Sequence, residues 1–445
     1  MKMGKRKGLF LVLFITTVAL GLVVGKSLAQ KASGVGEAYE SLKVFTDALS
    51  MIQKNYVEKV SSKDLVYGAM KGMLEGLDPH SSFMNPDTFK EMQVDTKGEF
   101  GGLGIEITMK DGILTVVSPI EDTPAFKAGI KAGDIIIKID GKGTKDLTLM
   151  DAVKMMRGPK GTQVTVTVVR ETFAEPKDFT VTRDIIAVKS VKSKTLESGY
   201  GYVRVAQFQE KTDTDLDNVL DKMEKENGGL KGLVLDLRNN PGGLLDQAVK
   251  VSDDFLESGL IVYTDGRIEG QKMTFSAKKE GTRPNYPIVV LVNSGSASAS
   301  EIVAGALQDH GRALILGTQT FGKGSVQTIY PLEDGSALRL TTARYYTPSG
   351  RSIQAKGITP DIILETEKAK KALPRAFREV REKDLDGHLL VPGAKPEKEE
   401  KTDKPHGKEE KAEAPKEEEP EDIQLNRALE LLKSWQVFQK TMKKG

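Results

Sequence analysis

The stretch from Pro287 to Thr328, PIVVLVNSGSASASEIVAGALQDHGRALILGTQTFGKGSVQT, constrains the fold more than any other part of the chain. Its apolar runs, Ile288 to Val292 and Ala313 to Leu316, read as buried strands of a sheet covered on both faces. Between them lie a turn with four serines, Ser294, Ser296, Ser298 and Ser300, and a helix predicted from about Ser300. A strand that delivers a serine to the start of a helix sets it among outward-pointing N–H groups, a suitable place for a nucleophile and an oxyanion site. Lys323 follows between Gly322 and Gly324, where other backbone can approach it closely.

A chain of 445 residues is too long for one ordinary core, so two or three domains are expected. The net charge is +2, but residues 1–29 hold five basic residues and no acid, which leaves the body mildly acidic and argues against a nucleic-acid partner. Those 29 residues have a basic start, an apolar run from Leu9 to Val24 and the small-x-small triplet Ser27-Leu28-Ala29. They read as a signal peptide or, if uncleaved, a membrane anchor, so the chain is expected in the periplasm or cell envelope, soluble or anchored by its N-terminus. With no cysteine there is no disulfide, thiol nucleophile or thiolate metal site.

Residues 36–95 form a helical region, with apolar residues at three- and four-residue steps from Leu42 to Ile52 and from Leu65 to Leu77. Leu77-Asp78-Pro79-His80-Ser81-Ser82 reads as a turn, with His80 as a capping residue. From 96 to 185 the texture is strand, strand, short helix, strand, helix, strand. This segment resembles a PDZ domain. Phe100-Gly101-Gly102-Leu103-Gly104-Ile105 matches the carboxylate-binding loop, and Pro124 to Asp134 matches the helix and turn that follow. The resemblance implies that Gly102, Leu103, Gly104 and Ile105 hold a chain-terminal carboxylate in a nest of N–H groups while a strand edge pairs with the peptide.

Residues 186–370 alternate strands and helices: Tyr200 to Val205, Thr212 to Lys225, Gly232 to Leu237, then Asn239-Asn240-Pro241-Gly242-Gly243 turning into a helix from Leu244 to Phe255. The turn lacks the spacing of a phosphate loop, and its N–H groups suit a developing oxyanion better. Residues 395–422, rich in Lys, Glu and Pro, read as a disordered charged linker. Beyond it, 423–445 form an amphipathic helix whose stripe of Leu425, Leu429, Leu432, Trp435 and Phe438 covers either the body or another chain.

A serine nucleophile needs a base. Of the four histidines, His388 and His406 lie in polar tails, and His310 sits at the far end of the helix, roughly 15 Å from Ser298 at about 1.5 Å per residue. Lys323 remains, since poor solvation disfavours an ammonium and leaves an amine able to accept a proton. No His clusters with carboxylates at ligand spacing, so no metal and no cofactor are expected. Asp309 and Arg312 are expected as salt-bridge partners, and Arg157 as a link between the PDZ-like segment and the rest.

Among the four serines the residues alone do not choose. Ser294 to Ile302, Gly311-Arg312-Ala313 and Thr320 to Gln327 together resemble the carboxy-terminal processing peptidases, or tail-specific proteases, over about Phe45 to Leu364. That resemblance implies a multidomain α+β or α/β protein. Its protease core has a mixed sheet of crotonase-like ββα type, with an inserted PDZ domain and an N-terminal helical segment. It further implies Ser298 as nucleophile, Lys323 as general base, Gln327 orienting the amine from one helical turn away, and an oxyanion hole from the N–H groups of Ala299 and of Gly242 or Gly243. The expected function is an exported serine endopeptidase acting on proteins captured by their C-termini, possible as a homo-oligomer. The alternatives are a non-catalytic PDZ scaffold or chaperone of the cell envelope and a hydrolase of acyl esters.

Overall fold

The computed structural model describes residues 39–110, 112–197, 199–365, 380–391 and 422–442. The expected leader or anchor at 1–29 and the linker up to 421 lie outside the described residues. The chain divides into two compact units, Met1–Leu74 and Glu75–Gly445. The described part of the first is two helices, α1 (39–55) and α2 (Ser62–Glu75), in keeping with the apolar steps of the sequence. Among the described residues no helix is long and apolar enough to cross a membrane.

The second unit opens with β1 (Ser82–Met84) and α3 (Pro86–Lys97), a helix the sequence reading left unassigned. Its signals are local: Asn85 caps the N–H of Thr88 at 2.9 Å, Pro86 stands in the first turn, and Gly98 closes it at φ 71°. Then come β2 (Glu99–Gly102), β3 (Ile105–Lys110), β4 (Ile113–Pro119), α4 (Pro124–Lys127), β5 (Ile135–Ile139), β6 (Lys142–Gly143), α5 (Leu149–Met156), β7 (Gln163–Val169), β8 (Lys177–Thr182) and β9 (Asp184–Ala187). The sheet runs β3-β4-β5-β7-β8, so β3 is an edge, and β9 pairs back on β2. Alternation along β7 buries Val164, Val166 and Val168 against Ile136, Ala152 and Met156, a core of this region's own.

The remaining elements are β10 (Val191–Glu197), β11 (Tyr200–Val205), α6 (Thr212–Asn227), β12 (Gly232–Asp236), α7 (Leu245–Asp253), β13 (Gly259–Gly266), β14 (Met273–Ala277), β15 (Ile288–Val292), α8 (Ala299–Asp309), β16 (Leu314–Gly317), β17 (Ser325–Pro331), β18 (Ala337–Tyr346), β19 (Ile362–Ile363) and α9 (Ile423–Met442). One sheet runs β10-β11-β12-β15-β16-β19 and is parallel from β11 onward. A second, antiparallel, runs β1-β18-β13-β14 with β17 on β18. The mixed α+β, multidomain class expected from the sequence is the one found.

The apolar runs are continuous because the parallel sheet is buried on both faces. Leu233, Leu235, Ile288, Val290 and Val292 face the core shared with α6, α7 and α8. Val234, Val289, Leu291 and Leu316 face the other way, onto Ala428 and Leu432 of α9. The C-terminal stripe therefore covers the body at its first half, while Trp435 and Phe438 remain exposed. Leu432→Ala should cost about 2–5 kcal/mol in urea unfolding, and Phe438→Ala less than about 0.5 kcal/mol.

Candidate active site

Two tight turns at the C-terminal ends of β12 and β15 build the site. After β12, Asn240 is fully buried; its Nδ2 donates to Val205 O at 2.8 Å and its Oδ1 accepts from Gly242 N–H at 2.9 Å. Asn240 O accepts from Ala297 N–H at 3.0 Å and from the Ser300 hydroxyl at 2.9 Å, which locks this turn to the one after β15. Gly242 has φ 104°, and a Cβ there would stand 2.8 Å from Ser298 Cβ and 3.0 Å from Ala299 N. Glycine is thus required where the turns touch.

The four serines differ in what their hydroxyls do. That of Ser296 donates to Leu237 O at 2.7 Å and that of Ser300 to Asn240 O, both fully buried. Ser294 lies partly exposed on the turn. Ser298, not Ser300, is the N-cap of α8; it adopts φ 53°, sparse for a residue with a Cβ, and its side chain lines a cleft of about 870 Å³. Tyr345 stands in the same cleft, and burial pushes its phenol up to about 12. Lys323, Gln327, Gly243, Leu245, Phe275 and Arg339 line the same cleft.

Glu301, in the first turn of α8, holds the two halves of the site together. It is fully buried; Oε2 accepts from the N–H groups of Ser298 at 2.8 Å and Lys323 at 3.0 Å, and Oε1 from Gly322 N–H at 2.7 Å and the Thr320 hydroxyl at 2.6 Å. Burial pushes its carboxyl up to about 7 against the pull of those donors. The Lys323 amine is held below the usual lysine range, first by burial and then by the Arg339 charge, while Glu382, Glu301 and Asp78 act the other way. The bonds to Glu301 fix the lysine's backbone beside the serine's.

Several expectations need correction. Gln327 lies on strand β17, not on a helical turn past Lys323, and its Nε2 donates to Ser325 Oγ at 2.9 Å and Thr341 Oγ1 at 3.4 Å. His80 does not cap its turn: Asp78 does, accepting the N–H groups of His80 and Ser81, and the His80 ring lies 2.6 Å from Glu382. Asp309 pairs with Arg351, but Arg312 donates to the carbonyls of Phe255 and Tyr286 instead of pairing with a carboxylate. His310 is turned to Leu260 O at 2.7 Å. The N–H of Gly242 is taken by Asn240, whereas the bridge between Phe208 and Gly243 uses Gly242 O and Leu244 N–H and leaves Gly243 N–H outside the ladder. Glu301, Tyr345 and Asn240 were missed as site residues; only Glu301, three positions after the N-cap, carries a sequence signal.

Between β3 and α5, Gly102, Leu103, Gly104 and Ile105 line a groove of about 90 Å³ with Phe100, Ile107, Val153, Met156 and Arg157. Gly104 has φ 77° and meets Thr123 so closely that a Cβ would clash. Arg157 lies over the Phe100 ring at 4.5 Å. Among the described residues no group of three or more His, Asp or Glu gathers as a metal site.

Three family profiles match the chain: Peptidase family S41 over residues 199–364, PDZ domain over 101–193, and the activating protease CtpB N-terminal domain over 17–88. The chain is 50% identical over 390 residues to a carboxy-terminal-processing protease of Bartonella bacilliformis, covering 86% of this chain and 88% of that one. It is 38% identical to the carboxy-terminal processing protease CtpA of Bacillus subtilis, over 82% of this chain and 78% of that one. A solved photosystem II D1 C-terminal processing protease is 32% identical over 77% of this chain and 97% of that one, with a TM-score of 0.42.

Glu301→Gln puts an amide where only acceptors fit, so at least one buried N–H loses its partner. It should cost about 1–3 kcal/mol in urea unfolding, and the cost should shrink as pH rises through about 7, where the parent itself has to bury the charge.

Proposed function

The chain belongs to peptidase family S41, the carboxy-terminal processing proteases, and from that premise we propose that it is an exported endopeptidase that captures proteins by their C-termini and cleaves them with a Ser298–Lys323 dyad. That it is a serine-type peptidase with a PDZ domain follows from the family itself. The observation that carries the dyad is the shared carboxylate of Glu301, bonded to the backbone of both residues, together with the one cleft that both side chains line.

In this reading the neutral Lys323 amine takes the Ser298 proton as Oγ attacks the scissile carbonyl, and the resulting ammonium protonates the leaving amine. The N–H groups of Ala299 and Gly243 hold the oxyanion, and water then hydrolyses the acyl-enzyme. Gln327 would orient the amine from β17 with its carboxamide oxygen, its nitrogen being engaged with Ser325 and Thr341.

Capture of a C-terminus is supported by the open edge of β3 beside α5, where a peptide can add as a strand and turn its last side chain toward Ile107, Val153 and Met156. Export is supported by the basic, apolar and small-residue pattern of 1–29. The proposed organisation is a leader or anchor at 1–29, a helical region at 36–95, a PDZ domain at 96–185, a protease core at 186–370, a linker at 395–422 and a terminal helix at 423–445.

Ser298→Ala and Lys323→Ala should each abolish cleavage of an internally quenched peptide while leaving the thermal unfolding midpoint near that of the parent; a cleaving variant of either kind sinks the dyad. Activity requires the uncharged amine, so kcat/KM should rise with pH through a midpoint below the ordinary lysine value of 10.5. Ile107→Asp should raise KM on the order of ten-fold for an unfolded protein ending in an apolar residue. The same variant should leave a short peptide with a blocked C-terminus unaffected.

A further inference from the structure

Residues 380–391 return to the site from beyond the stretch that the S41 profile matches, 199–364. Glu382 of this strap is fully buried. Its Oε2 lies 2.6 Å from His80 Nε2, and its Oε1 accepts from Gln354 Nε2 at 2.8 Å. Gln354, also fully buried, uses its own oxygen to accept from Gly324 N–H at 3.1 Å. The backbone N–H of Glu382 donates to Phe321 O at 3.2 Å. Glu382 therefore holds the lysine loop on both sides of Lys323, directly at Phe321 and through Gln354 at Gly324.

His80 is itself fixed. Its N–H donates to Asp78 at 2.8 Å, its carbonyl accepts from Arg339 Nε at 3.1 Å, and the turn is pinned to β18 by Thr341 N–H on Ser81 Oγ at 3.1 Å. Burying a carboxylate is costly, and apolar replacements of a buried charged pair are often neutral or stabilising, so packing alone does not call for a charge at this place. The lysine loop does: it has to carry an amine at a set distance from Ser298.

We propose that Glu382, anchored by His80, is a positioning residue for Lys323, fixing the loop on both flanks of the lysine. The proposal rests on the dyad reading of Ser298 and Lys323. The charged groups that bear on the amine are Arg339 from β18, Glu301 from α8, Asp78 from the turn and Glu382 from the strap; the three carboxylates favour the ammonium and Arg339 opposes it. Taking away the charge of Glu382 lowers the pH at which Lys323 gives up its proton.

The test is kcat and KM against pH, on the full chain with an internally quenched peptide, for the parent, Glu382→Gln, Glu382→Ala and Lys323→Ala. Glu382→Gln keeps an acceptor for Gln354 and loses the carboxylate; the acid limb of kcat/KM should move to lower pH with KM little changed. Glu382→Ala loses both functions, and kcat should fall on the order of 10- to 100-fold with KM again little changed. If the alanine variant does not fold, the glutamine variant decides. An unmoved acid limb in Glu382→Gln, a parental kcat in Glu382→Ala, or a loss confined to KM overturns the proposal while an inactive Lys323→Ala keeps the dyad. An active Lys323→Ala overturns the dyad instead, and the proposal with it.

Discussion

The carboxylate of Glu301 lies out of reach of water at the first turn of α8 and accepts hydrogen bonds from the N–H groups of Ser298 and Lys323, residues that reach it from different elements. That junction ties the serine turn to the lysine loop. Ser298 is held at φ 53°, a backbone shape costing on the order of 1–3 kcal/mol, and the bond to Glu301 is one of the contacts that over-determine it. The lysine loop, bracketed by Gly322 and Gly324, is held to the same carboxylate by the N–H groups of Gly322 and Lys323, and burial keeps the amine below the usual lysine range.

The sheet supplies rigidity to both turns. Alternate residues of β12 and β15 are buried on opposite faces, so neither strand can slip in register without exposing an apolar set. The end of β12 is also tied to the C-terminal helix. Arg238 donates to buried Asp236 at 2.7 Å and to Asp422 at 2.7 Å, while Tyr202 donates to Asp236 at 2.7 Å. These bonds raise the Arg238 pKa above its ordinary value and join the start of α9 to the strand that becomes the Asn239–Gly243 turn.

Much of the architecture was legible where burial leaves a periodic trace. The strands at 135–139, 200–205 and 288–292 and the helix at 149–156 follow directly from apolar runs and caps. The missed elements lack that trace. Helix α3 has no buried residue, strand β10 exposes most of its side chains, and β14 is largely exposed as well. Strand β17, with its mixed Ser, Gln and Thr, is formed by pairing with β18 and so looked open to a helical reading of Gln327. In the site, the serine turn and the lysine stood out by residue type, and the choice of Ser298 leaned on a family resemblance. Tyr345 and Glu382 could not be read because only the folded chain brings them to the cleft of Ser298 and to the lysine loop, and Asn240 was quoted only as part of its turn.

The account turns on whether Lys323 is an amine that readily loses its proton. Its side-chain nitrogen can be followed across pH by heteronuclear NMR in the Ser298→Ala variant. Burial beside Arg339 predicts a titration below the ordinary lysine value of 10.5; a midpoint at or above 10.5 would contradict it.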